Sequence, residues 1–348
     1  MHRPRGAGAG ARSDGDFVLK ICVFGAGAIG GHLAARFAAN GAEVSVVARG
    51  AQGAAIAAKG LVVRTPGETL TCHPRLGTPA ELGTQDFVVV ATKAPALPAV
   101  AGAIGPLLGP DTAVIFAMNG IPWWYFHGDA GPHADRRLPG VDPGDAIWQA
   151  IGPARAIGGV VYSSCEVTAP GEIKVDNATS RLVIGEPDGT LTPRLAHFAA
   201  ALRGPAMIAD ETADIRTAIW TKLLMNLSSG PLAVLTSSAP KDYAFDPSCE
   251  AAIRALYAEG LAVATAFGCA PVVDVDRALG FSRKMTHRPS ILQDLDLGRP
   301  MEIDGIYGAT LELARLGGVA TPTLDLLVAL VKLRARAAGL YGNLTQVN

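Results

Sequence analysis

One feature constrains this chain more than any other. A short apolar run, Leu19-Lys20-Ile21-Cys22-Val23-Phe24, leads directly into Gly25-Ala26-Gly27-Ala28-Ile29-Gly30. A short apolar run bounded by glycine reads as a buried strand. Ala28 to Asn40 has helix-forming composition, and Asn40-Gly41 is a stop signal. A GxGxxG pattern alone carries little weight, but between a strand and a helix each glycine has a task. Gly25 permits the tight turn, Gly27 lets the backbone approach a pyrophosphate, and Gly30 lets helix pack on strand. The helix N-terminus offers free N–H groups and the positive end of its dipole to phosphates. The segment Gly25, Ala26, Gly27, Ala28, Ile29 and Gly30 is therefore the predicted dinucleotide cradle.

The second strand, Glu43 to Ala48, ends in Arg49-Gly50 without an acid. An Asp or Glu at this place would bind the ribose 2′-hydroxyl of NAD, whereas an arginine suits a 2′-phosphate. Arg49 thus selects NADPH as the expected cofactor. Further strands at 61–64, 86–91, 112–116 and 156–161 alternate with helical stretches, which implies parallel pairing and right-handed crossovers. After about residue 210 the pattern is helical only, with helices expected near 212–229, 231–238, 247–268, 302–317 and 321–337. The predicted fold class is α/β: an N-terminal Rossmann-type doubly wound sheet followed by an all-α C-terminal domain. The expected division is a disordered tail over 1–18, an NADP-binding domain over 19–209 and a helical substrate and catalytic domain over 210–340. The segment 122–150, with Trp123, Trp124 and four prolines, breaks the rhythm. A loop of that length reads as a substrate lid or a subunit contact.

Bulk properties exclude several classes. A formal net charge of −1 provides no field favouring nucleic acid or an anionic membrane. No apolar run is long enough to span a bilayer, and the Gly/Ala/Arg-rich first residues lack the apolar centre of a secretory signal. The five cysteines form no CxxC pair, which fits free thiols in a reducing, cytoplasmic setting. His127, Asp129, His133 and Asp135 lack the spacing of a helix-borne ligand set, so no metal is expected.

Candidate chemistry lies at two places. Lys93 and Asn119-Gly120 follow strands at their carboxyl ends, where open α/β sheets bind ligands. A solvated loop lysine and an ordinary Asn-Gly turn are the plain alternatives. In Trp220-Thr-Lys222-Leu-Leu-Met-Asn226, Lys222 and Asn226 share one helix face among apolar neighbours. A buried amine has a depressed pKa suited to acid/base work, although a lysine snorkelling to water fits the composition too. Glu302, near a predicted helix start, fits either a site or simple dipole compensation.

Taken together, these pieces resemble the ketopantoate reductase (2-dehydropantoate 2-reductase) family over about residues 19–337. They occur in family order: Gly25–Gly30, Arg49, Thr92-Lys93, Asn119-Gly120, Trp220-x-Lys222-Leu-x-x-Asn226, Ser290-x-x-Gln293-Asp294 and Glu302-Ile-Asp304-Gly. The resemblance implies NADPH-dependent reduction of ketopantoate to (R)-pantoate, on the way to pantothenate and coenzyme A. It implies Lys222 as general acid and Glu302 in contact with the lysine network, the substrate and the cofactor. Asn226 and Ser290 would orient the substrate, Asn119 would sit between nicotinamide and substrate, and Lys93 would lie near the cofactor. The chain departs from the family pattern at Gly230 and in Ser238-Ala239-Pro240, where the family usually has asparagines. Its 122–150 loop is also longer by about 20 residues, a length typical of functional loops. Reduction of another branched or bulky 2-keto acid therefore stays open, as does NADPH sensing without chemistry. The expected partner is a small 2-keto acid, with a homodimer possible.

Overall fold

The computed structural model describes residues 18–342. The expected tail lies outside the described residues apart from Val18. The strands are β1 (Lys20–Phe24), β2 (Glu43–Val47), β3 (Leu61–Arg64), β4 (Thr69–Cys72), β5 (Arg75–Leu76) and β6 (Gln85–Val90), followed by β7 (Leu108–Ala117), β8 (Ala156–Tyr162), β9 (Cys165–Ala169), β10 (Glu172–Val175), β11 (Ser180–Gly185) and β12 (Met207–Glu211). Eight of them form one sheet in the order β12-β11-β8-β7-β6-β1-β2-β5. From β8 to β5 every pairing is parallel, and β11 runs antiparallel to β8. The mixed α/β fold with its N-terminal parallel sheet agrees with the sequence expectation.

The central strands are apolar on both faces, as a covered parallel sheet requires. Ile21, Val23, Val89 and Ile115 point into a core with Leu33 and Phe37 of the helix Ala28–Ala39 and with Phe198 of the helix Pro193–Leu202. Cys22, Phe24, Val88, Val90 and Phe116 point the other way, into a core shared with the helical half. A second, four-stranded sheet of order β4-β3-β10-β9 lies against the helix Ala28–Ala39. The expected strand at 61–64 belongs to it, paired with β10. Their parallel partnership joins segments more than a hundred residues apart, and local periodicity carries no sign of it.

Beyond Glu211 the described chain has helices only. The expected pair 212–229 and 231–238 is a single helix, Ile215–Thr236, that continues through Pro231. The proline removes one backbone donor, but Leu227, Leu232, Ala233 and Val234 around it are buried and hold the helix together. The expected helix 302–317 is also revised. Glu302 stands just ahead of the helix, which opens with a π-turn, Asp304–Gly308, before the α-helical Ala309–Leu316. Such wide turns occur preferentially at functional sites.

The segment 122–150 corrects a larger expectation. Trp123, Trp124, Tyr125 and Phe126 are each no more than 2% exposed and fill the core between sheet and helices. They are not an external lid or a subunit contact. Trp220 donates through Nε1 to Tyr125 Oη at 2.7 Å, and Arg216 donates to Tyr125 O and His127 O, each at 2.7 Å. Asp142 caps the short helix Ala146–Ile151 through the N–H groups of Ile147 and Trp148. The physical reason is area: each such aromatic removes about 150–250 Å² from water, and the four complete the apolar core on this face of the sheet. His127 pairs with Asp135 at 2.7 Å, and no cluster able to hold a metal occurs among the described residues.

Candidate active site

The cofactor end forms where β1 and β2 terminate. Gly25 has φ +100°, and a Cβ there would lie 2.7 Å from Thr92 Cγ2. A Cβ on Gly30 would lie 1.9 Å from Gly25 O, so only glycine lets the helix meet the loop. Gly27 is the N-cap, with no side-chain cap and no acid in the first turn. A Cβ on it would meet nothing within 4 Å, so the approach to the helix N-terminus is clear. Thr92, just beyond β6, has a buried hydroxyl without a hydrogen-bond partner. An open helix N-terminus and an orphaned hydroxyl are features that a bound dinucleotide phosphate would satisfy. Arg49 stands exposed at the N-cap of the helix Gly50–Lys59, at the tip of β2.

The reacting end lies on the helical side. Lys222 and Asn226 project from the helix Ile215–Thr236 and line a cleft of about 200 Å³ together with Asn119 and Gly120 from the end of β7. Lys222 Nζ donates to Val161 O in β8 and lies 5.7 Å from the Tyr162 ring centre. Burial pushes its pKa down to about 8, against the opposing pull of Glu302 and Cys165. Glu302 is 7% exposed. Burial raises its carboxyl pKa, while the Ala94 N–H, Lys93 and the Asn119 side chain pull it down.

Three contacts tie the sheet edge to the helices. Glu302 Oε1 accepts from Ala94 N at 3.2 Å. Lys93 forms an ion pair with the buried Asp294, whose pKa is raised by burial and restrained by that lysine. Ile121 N donates to Gly305 O, in the π-turn, at 3.0 Å. Gly120 has φ +89°, and a Cβ there would lie 2.2 Å from the same Gly305 O. A glycine is therefore required at this crossing, and the π-turn sets where Asn119 stands.

The predicted site residues thus fall into one region, with one exception. Gly25 to Gly30 and Arg49 stand at the carboxyl ends of β1 and β2, while Lys222, Asn226 and Asn119 line the cleft, with Glu302 beside Asn119. Lys93 bridges to Asp294. Ser290, at the first turn of the helix Ser290–Asp296, is exposed and does not line that cleft. Thr92, Asp294 and Gly305 stood in the motifs read from the sequence but were given no role there, and Tyr307 stood in none.

A glycine-cradled dinucleotide unit that faces a helix-borne lysine across a cleft defines a nicotinamide-dependent oxidoreductase. Comparison with known proteins narrows the class. The model of "Ketopantoate reductase PanE/ApbA" matches residues 21–133, and that of its C-terminal part matches residues 214–335. A 2-dehydropantoate 2-reductase of Mesorhizobium japonicum is 44% identical over 93% of this chain and 100% of its own length. A crystal structure from Ralstonia solanacearum MolK2, provisionally named a ketopantoate reductase, superposes with a TM-score of 0.87 at 40% identity, covering 93% of this chain and all of that one. The 2-dehydropantoate 2-reductase structure of Methylococcus capsulatus follows with a TM-score of 0.77 at 29% identity, covering 94% and 99%. The chain belongs to the ketopantoate reductase family.

Proposed function

We propose that this protein uses NADPH to reduce 2-dehydropantoate to (R)-pantoate, in the cytoplasmic route to pantothenate and coenzyme A. One observation carries the reading: a half-buried lysine with a pKa near 8 shares a cleft with Asn119 and Asn226. When bound, reduced nicotinamide supplies hydride to the keto carbon. Lys222 then provides the proton for the keto oxygen, where negative charge develops. A pKa of about 8 leaves the amine mostly protonated at neutral pH yet able to release its proton. Asn226, one turn along the same helix face, orients the substrate, and Asn119 separates it from the cofactor. Glu302, through its charge, keeps Lys222 protonated.

Arg49 at the tip of β2 supports NADPH over NADH, because no acid stands there to receive a ribose hydroxyl. Residues 19–209 act as the cofactor unit and 210–340 as the substrate unit. Ser290 reaches the substrate carboxylate only if its helix moves toward the cleft. The test is NADPH oxidation by the purified protein with 2-dehydropantoate, with chiral analysis of the product. Turnover no better than with pyruvate removes the specific substrate.

A second reading, reduction of another branched or bulky 2-keto acid, is favoured by an apolar recess beside the cleft. Phe116, Trp123, Trp124 and Val141 line it, and it shares Met118, Asn119, Gly120 and Ile219 with the catalytic cleft. A panel of 2-keto acids with growing side chains separates the two readings.

A further inference from the structure

The four-stranded sheet meets the glycine cradle through one side chain. Gln52 stands in the first turn of the helix Gly50–Lys59, three residues after Arg49. Its Nε2 donates to Ala26 O at 2.7 Å, and its Oε1 accepts from Gly171 N at 3.0 Å. Gly171 lies in the turn between β9 and β10, with φ +80°, and its carbonyl accepts from Val62 N in β3 at 2.9 Å. A carbonyl only accepts and an N–H only donates, so both ends of the Gln52 amide are fixed. Ala26, buried, is the second residue of the cradle. In a trans peptide the C=O and the following N–H lie in one plane and point in opposite directions. Anchoring Ala26 O on Gln52 therefore turns the Gly27 N–H away from Gln52. Gly27 is the N-cap of the helix Ala28–Ala39, where no side chain caps the free N–H groups.

We propose that Gln52 is a positioning residue for the dinucleotide, holding the Ala26–Gly27 peptide so that its N–H faces the pyrophosphate. This rests on the reading of Gly25 to Gly30 as an NADPH cradle. Gly27 makes that peptide easy to rotate, since glycine accepts φ of either sign. A donor that must be turned into place when the anion arrives costs binding energy, and Gln52 removes that freedom in advance. The same amide pins the first turn of the helix that begins at Arg49. One side chain thus holds the spacing between the pyrophosphate end and the 2′-phosphate end. The turn at Gly171 supplies the fixed point, which gives the four-stranded sheet a part in cofactor binding.

The test measures cofactor binding directly, by fluorescence titration without a keto acid. Gln52→Met keeps the length of the side chain and removes both hydrogen bonds. It should raise Kd for NADPH and NADH alike by about five- to fiftyfold, the range for one or two lost buried hydrogen bonds. Adenosine 2′-monophosphate, which carries the phosphate for Arg49 but no pyrophosphate, should bind wild type and variant almost equally. With saturating NADPH and 2-dehydropantoate, kcat should stay nearly unchanged, because the loss lies in binding and not in the transition state. Gln52→Asn, too short to span both partners, should give the same pattern and keeps the test open if Gln52→Met folds poorly. Unchanged Kd values for NADPH and NADH overturn the proposal. So does a loss for adenosine 2′-monophosphate as large as that for NADPH, which makes Gln52 purely structural. A wild type that binds neither NADPH nor NADH sinks the cradle reading itself, together with this inference.

Discussion

Glu302, at the mouth of the helical half, accepts the backbone N–H of Ala94 at 3.2 Å from the edge of the sheet. The same carboxylate raises the pKa of Lys222 against the effect of burial. One side chain thus joins the two halves of the molecule and sets the charge of the proposed proton donor. Glu302→Gln keeps a group able to accept from Ala94 but removes the charge. The alkaline limb of the reduction should move to lower pH by about one unit, as expected for loss of a nearby opposite charge. An unmoved limb, measured as kcat/KM against pH, separates Glu302 from Lys222.

The pH dependence of the wild type has a definite sign. Lys222 must carry a proton to donate one, and its pKa is lowered to about 8. Reduction should be fully active below that value and decline as pH rises through it. Oxidation of the product needs the neutral amine and should show the opposite trend. Parallel profiles in the two directions would assign the titration to another group.

Lys222→Ala should lower kcat by about 10²- to 10⁴-fold, the usual contribution of a general acid. Binding of NADPH, followed by fluorescence titration, should change little, because the phosphate end lies on other elements. Unchanged turnover would remove Lys222 from the chemistry.

Arg49→Ala should raise KM for NADPH by about tenfold or more, as for loss of a charge-assisted hydrogen bond, and leave NADH almost unaffected. Equal effects on both cofactors would place Arg49 away from the 2′-phosphate.

Trp123 separates core from lid by stability. It is 1% exposed and stacks edge-on with Phe116 and Trp148. Trp123→Ala should destabilise the fold by about 3–5 kcal/mol, the range for truncating a buried aromatic residue. Urea unfolding measures this directly. A variant as stable as the wild type would show that the segment lies on the structure without supporting it.

Much of the nucleotide end was legible because its signals are local. A strand and a helix of different periods meet at three glycines, and the residue closing the next strand follows at a set distance. The alternating cores of β1, β6 and β7 follow from the same short-range pattern. The misreadings have physical causes too. Pro231 reads as a helix break because local propensity is blind to the buried residues that override it. Trp123 to Phe126 read as a lid because a sequence does not say which apolar face lacks cover. Ser290 was placed by its motif, yet its side chain stands outside the cleft.

The sequence by itself determined the class of cofactor, the α/β frame and the helix on which Lys222 and Asn226 share a face. Each of these depends on residues within a few positions of one another. Only the tertiary structure decided that Lys222 Nζ meets Val161 O, that Glu302 reaches Ala94, and that Tyr307 fills the space above Gly230. Those pairs are distant in the chain, and they meet because burial of the sheet's second face draws the helical half against it.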